Sequence, residues 1–107
     1  MATEVSYETV FLREFARTYL SEIAFTGEAN DDIKRFHDHG FLVGLADVLY
    51  VLRNGTVTRS DKEDSDGARW LVEGPTCHES ILRVAIRVWC DRYQVRVLRV
   101  TLLGVKT

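Results

Sequence analysis

The sequence predicts an α+β fold: N-terminal helices packed on one face of a C-terminal antiparallel sheet of about four strands. Three observations carry it. Apolar residues recur at helical spacing through the first half of the chain, they alternate after Thr56, and the two longest alternating runs are separated by only Asp91, Arg92 and Tyr93. A chain of 107 residues without a Pro/Gly/Ser-rich linker is the size of one domain, 1–107. With 46% hydrophobic against 28% charged residues it has enough apolar surface to offset the entropy of ordering.

The elements follow in order. Phe11, Phe15, Tyr19 and Ile23 recur every fourth residue with Leu12, Ala16 and Leu20 beside them, which predicts an amphipathic helix over about 8–25. Asn30 or Asp31 is placed to cap a second helix through Ile33 and Phe36 to His39, stopped by Gly40. A third covers 43–53 with Leu45, Val48, Leu49 and Leu52 inward, and Asn54-Gly55 offers a left-handed end.

Strands are expected at 56–59, at 69–73 before Gly74-Pro75, at 81–90 and at 94–103, with a charged loop over 60–67. In the third, Leu82, Val84, Ile86, Val88 and Cys90 share one face, while Ile81, Arg83, Ala85, Arg87 and Trp89 share the other. The alternation in the last run breaks near Val97 and Leu98, which predicts a bulge there.

The net charge of −2 argues against a uniformly basic nucleic-acid binder. Charge is unevenly spread, however: after Ser80 stand Arg83, Arg87, Arg92, Arg96, Arg99 and Lys106 against Asp91 alone. Cys77 and Cys90 lack CxxC spacing and do not imply a disulfide. The start of the chain lacks a signal-peptide pattern and no apolar run is long enough to span a bilayer, so a cytoplasmic location and no membrane partner are expected.

Three groups of residues are candidates for chemistry. His37 and His39, with Asp31 or Asp32 earlier, offer metal-ligating types. Two-residue spacing sends the histidines to different faces of a helix, so no metal is expected from them. Cys77-His78-Glu79 sets a thiol beside an imidazole, but chain neighbours rarely face each other and no third orienting group is evident. The arginines of the hairpin are the strongest candidate. Arg83 and Arg87 share a face, Arg96 and Arg99 lie on the adjoining arm, and Arg69 on the strand before; guanidinium groups so clustered bind phosphate bidentately. Trp70, Trp89 and Tyr93 are placed to stack on bases. The competing reading has these arginines solvated or paired with acids of the 61–66 stretch.

The run Arg35-Phe36-His37-Asp38-His39-Gly40-Phe41, then Ala46-Asp47-Val48, Asn54-Gly55-Thr56-Val57, Ala68 through Gly74, and the hairpin of Leu82-Arg83-Val84 with Val95-Arg96-Val97, resembles the RelE/ParE-like toxin superfamily. The likeness is to its small mobile-element relatives of unknown function and covers about residues 28–103, with the helix of 8–25 as an addition. It implies a toxin-type protein acting on RNA or a nucleic-acid machine. For the ribonuclease branch it implies a metal-independent endoribonuclease that needs no cofactor; the ParE-like branch binds a topoisomerase. On that resemblance Arg83, Arg87, Tyr93 and His78 are the expected catalytic residues, and Arg69, Arg96, Arg99 and Trp89 the substrate-binding ones. RNA, an antitoxin or another protein, and a second copy docked through the N-terminal helix are the expected partners. The alternative is a non-enzymatic protein-binding module or inhibitor from a phage or other mobile element.

Overall fold

The computed structural model describes residues 6–19, 22–61 and 65–105. Within them the chain forms three helices and a five-stranded mixed sheet. Helix α1, Tyr7–Thr18, starts where the Ser6 hydroxyl accepts the Thr9 N–H at 3.2 Å, and it buries Leu12, Phe15 and Ala16. It is shorter than the expected 8–25. Ile23–Phe25 instead form strand β1, with Ile23 and Phe25 half-buried and Ala24 exposed. Leu20 and Ser21 lie outside the described residues.

Helix α2, Gly27–Asp38, is capped by Thr26, whose Oγ1 accepts the Ala29 N–H, rather than by Asn30 or Asp31. Its expected stop holds: Gly40 sits at φ +83°, a region open to glycine, while its N–H donates to His37 O and that of Phe41 to Phe36 O. Helix α3, Leu45–Asn54, begins at Gly44 and ends at Gly55. The left-handed end expected at Asn54-Gly55 is not formed: Gly55 is at φ −77°. Glycine is required there by proximity, since a Cβ would lie 2.5 Å from Val51 O and 2.8 Å from Glu73 O. Leu45, expected inward, is exposed; Val51 fills the core beside Val48 and Leu52.

Four further strands follow: β2 (Thr56–Ser60), β3 (Ala68–Pro75), β4 (Ser80–Trp89) and β5 (Gln94–Val105). The sheet order is β1-β5-β4-β3-β2. The expected antiparallel sheet of about four strands is therefore one strand too few, because β1 adds to β5 in parallel, Ile23 opposite Val95 and Phe25 opposite Val97. The bulge is where the alternation breaks: Ala85 faces Arg99 and Ile86 faces Val97, leaving Leu98 extra. Beyond β1 the free edge of β5 is taken over by α2, through Thr26 Oγ1–H to Leu98 O and Val100 N–H to Asp32.

Valine, leucine and isoleucine alternate along β3, β4 and β5 so that one face is buried throughout, with Val72, Leu82, Val84, Ile86, Val88 and Val97 inaccessible to solvent. Leu12, Phe15, Val48, Val51 and Leu52 of α1 and α3 share that core with them. The opposite face has Arg69, Arg83, Arg96 and Arg99 open to water.

Candidate functional site

Pleating places every second residue of three neighbouring strands on the solvent face, and pairing then aligns the arginines. Arg69 of β3 is opposite Arg87 of β4, and Arg87 is opposite Arg96 of β5. Like charges directly opposed across strands are unfavourable, so this row of three is not explained by sheet stability. With strands about 4.8 Å apart, it spans about 10 Å.

The neighbours of the row hold it in place. Arg92 and Arg96 each lie with the guanidinium carbon 5.3 Å from the Trp89 ring centroid. Trp89 in turn packs on Gly67, at φ +87°, where a Cβ would come within 2.9 Å of the indole. Arg87 Nη1 donates to the Asp66 carbonyl at 2.7 Å. No hydrogen bond or ion pair holds the Arg69 guanidinium among the described residues. Beside the row, Arg59, Asp61, Arg69, Leu71, Ala85 and Arg99 line an open concavity of about 330 Å³.

The remaining expected residues fall elsewhere. Arg83 is on the same face but is ion-paired to Glu73, with Nη2 2.9 Å from Oε1. Arg99 forms a fork on Asp32, Nε to Oδ2 at 2.9 Å and Nη2 to Oδ1 at 3.0 Å. Asp32 is 1% exposed and also accepts the Val100 N–H and an Arg35 Nη2–H. Burial alone would raise its carboxyl; the Arg99 hydrogen bonds, the Val100 N–H and the charges of Arg99 and Arg35 outweigh it and hold it below the usual carboxylate range. Trp70 is buried in the core and edge-on to Phe11, so it is not available to stack on a base.

Tyr93 is left-handed, φ 50°, at the β4–β5 turn, and its ring turns to Phe11 and Tyr19 of the α1 side. His78 is in the β3–β4 turn, at the other end of a ten-residue strand; at about 3.3 Å per residue that is roughly 30 Å away. Arg83, Arg87, Tyr93 and His78 therefore do not converge on one reacting position. The expected acid–base partners are dispersed, whereas Arg69, Arg87, Arg96 and Trp89 are brought together.

His78 belongs to a different grouping, which sequence spacing does not reveal. Its Nδ1–H donates to Asp47 Oδ1 at 2.7 Å, and Cys77 Sγ–H approaches the same oxygen at 3.3 Å. The Asp47 hydrogen bond, then burial and its charge, push the Cys77 thiol up. Cys77 Sγ also lies 3.6 Å from His78 Nδ1, but that is the nitrogen whose proton Asp47 takes; a nucleophile, base and orienting acid in series need the two imidazole nitrogens to face different partners, and that order is not built. Asp47 is 2% exposed, and its other oxygen accepts the Gly44 N–H at 2.9 Å, half of a capping box at the start of α3. Burial would raise this carboxyl too, but the Gly44, His78 and Cys77 hydrogen bonds hold it low. Among the described residues this is the one cluster of three metal-ligating types. His37 and His39 are both exposed; His39 Nδ1 bonds Arg35 O at the end of α2, and Asp32 faces Arg99.

Comparison with known proteins found no matching family model, no matching curated protein and no matching solved structure. The class is thus defined by architecture alone: an α+β domain with one helix-covered and one arginine-bearing sheet face. Among the described residues no helix is long and apolar enough to cross a membrane.

Proposed function

We propose that the chain is a RelE/ParE-like, toxin-type domain that binds single-stranded RNA on the open face of its sheet. The observation that supports this reading is the cross-strand row Arg69–Arg87–Arg96 beside Trp89. Guanidinium groups at strand spacing suit successive phosphates, and the half-buried indole suits a stacked base. Three phosphate contacts correspond to a salt slope of about −2 for a single strand. The dispersal of Tyr93 and His78 favours binding over cleavage by these residues.

Fluorescence anisotropy with a labelled oligoribonucleotide tests the proposal. Micromolar or tighter binding is expected, with each of Arg69→Ala, Arg87→Ala and Arg96→Ala reducing the salt slope by about 0.7. Trp89→Ala should lose affinity by about tenfold, from a stacking contribution of about 1–3 kcal/mol. Equal binding by intact chain and the triple variant overturns the assignment. RNA integrity in the same mixtures reports cleavage.

A second reading has one observation behind it. Tyr7, Val10, Tyr19 and Tyr93 form an exposed apolar patch along α1, with Tyr7 66% and Val10 47% exposed. That patch favours a protein partner, an antitoxin-like chain or a second copy, whether or not the sheet binds RNA.

A further inference from the structure

The Asp47, Cys77 and His78 cluster lies at the end of the sheet away from Trp89 and is independent of the arginine face. Its two exposed members are chain neighbours, which ordinarily diverge. They converge because the turn after β3 is cross-braced. Thr76 Oγ1 accepts the N–H groups of His78 and Ser80 and lies 2.7 Å from Ser80 Oγ, Thr76 N–H donates to Ser80 O, and Glu79 stands at φ 65°. The third member comes from α3, so the cluster joins a helix start to a strand turn.

Its geometry is that of a three-donor metal cradle. Sγ is 3.3 Å from Oδ1 and 3.6 Å from Nδ1, and Nδ1 is 2.7 Å from Oδ1. With Zn–S near 2.3 Å and Zn–N or Zn–O near 2.0–2.1 Å, tetrahedral edges are about 3.3–3.6 Å. Two of the three edges already fit. The third is a hydrogen bond that opens by about 0.6 Å once its proton gives way to an ion.

Charge supports the same conclusion. Asp47 Oδ1 is buried and addressed by two protons, one on sulfur and one on nitrogen. A dication takes the place of both: the thiol proton leaves to solvent, the imidazole gives up its Nδ1 proton and keeps one on Nε2, so it ligates as the neutral ring, and thiolate plus carboxylate balance the charge. Asp47 Oδ2, fixed by the Gly44 N–H, supplies the outer-shell bond that orients a ligating carboxylate. Sulfur with imidazole selects a borderline-soft ion over Mg²⁺ or Ca²⁺.

We propose that Asp47, Cys77 and His78 bind one Zn²⁺ ion, with its fourth position open to water on the exposed side of the turn. The test is a Co²⁺ titration of the full chain after treatment with chelator. Expected are a sulfur-to-cobalt charge-transfer band that saturates at one equivalent and visible bands of four-coordinate cobalt, both bleached by Zn²⁺. Cys77→Ser should abolish the charge-transfer band and His78→Ala weaken Co²⁺ binding at least tenfold, while Cys90→Ser leaves both unchanged; both site changes are on exposed side chains, and circular dichroism verifies folding. Absence of the band in the intact chain, its persistence in Cys77→Ser, or its loss in Cys90→Ser overturns the site.

Discussion

Replacement of Arg69 by threonine separates a functional arginine row from a structural one. Arg69 faces Arg87 across the β3–β4 pair, and no hydrogen bond or ion pair holds its guanidinium among the described residues. Guanidinium groups about 7 Å apart in a water-like medium repel by about 0.6 kcal/mol. At physiological salt, with a Debye length of about 8 Å, somewhat less than half of that survives. Threonine also suits a pleated surface better, by a few tenths of a kcal/mol. Arg69→Thr should therefore stabilise the unliganded fold by about 0.5–1 kcal/mol in about 10 mM salt and by less at 150 mM. For a chain of this size that is roughly 2–6 °C in Tm. The same change should weaken RNA binding and flatten its salt dependence. Urea denaturation at two salt concentrations, followed by tryptophan fluorescence, beside anisotropy titrations, reads both effects. A loss of stability above about 0.5 kcal/mol would mean that Arg69 serves the fold, and the row could not be read as an anion site from its like-charge strain.

Two further outcomes follow from other parts of the molecule. Asp32 has a lowered pKa, so between that value and the unfolded value of about 3.9 the unfolded chain binds more protons. Its contribution is complete above about pH 5 and is lost progressively as pH falls through the unfolded and then the folded value, with Arg35, Arg99 and, near Arg99, Glu28 as the surrounding charges. Asp32→Asn should flatten the acid limb of the stability–pH curve measured by urea denaturation. Asp32→Ala, which strands the Val100 N–H, should cost about 1–3 kcal/mol at neutral pH; an unchanged acid limb in the Asn variant would refute the assignment. The α1 patch predicts concentration-dependent dimerisation in light scattering, abolished by Val10→Glu with unchanged circular dichroism, and a monomeric mass at every concentration removes the second-copy form of that reading.

Local periodicity made most elements legible, and each failure has a physical source. Ile23 is four residues after Tyr19 and two before Phe25, so it satisfies a helical stripe and a strand alternation at once. Pairing with Val95, 72 positions away, decides between them, and no local pattern encodes that. The Leu98 bulge was readable because it disturbs a period within one strand. Gly55 was read as a left-handed cap, whereas its constraint is the approach of Glu73 from β3. Tyr93, expected beside the arginines as a stacking or acid–base residue of the turn, has a left-handed backbone that swings its ring to α1 instead. Asp47 carried half a signal, an acid three residues into a helix, and nothing local announces that Cys77 and His78 arrive at its free side. Asp32 had no signal: its partner Arg99 is 67 residues away.

The net charge of −2 and a basic face are compatible because the fold segregates charge. Asp32 is withdrawn into the α2–β5 contact and Asp47 into the start of α3, leaving both carboxylates satisfied by partners other than Arg69, Arg87 and Arg96. On the open face, Glu73 takes Arg83, and Asp61 approaches Arg59 only to 3.8 Å. What remains is a local positive strip about 10 Å wide on an acidic molecule. Such a strip has little long-range pull on a polyanion, since charges beyond a Debye length are screened. On the proposed reading, affinity comes from contact, with guanidinium forks on two or three phosphates and a base on Trp89. That geometry favours a flexible single strand able to follow the sheet twist over a rigid duplex, whose recognition leans on many phosphates at once.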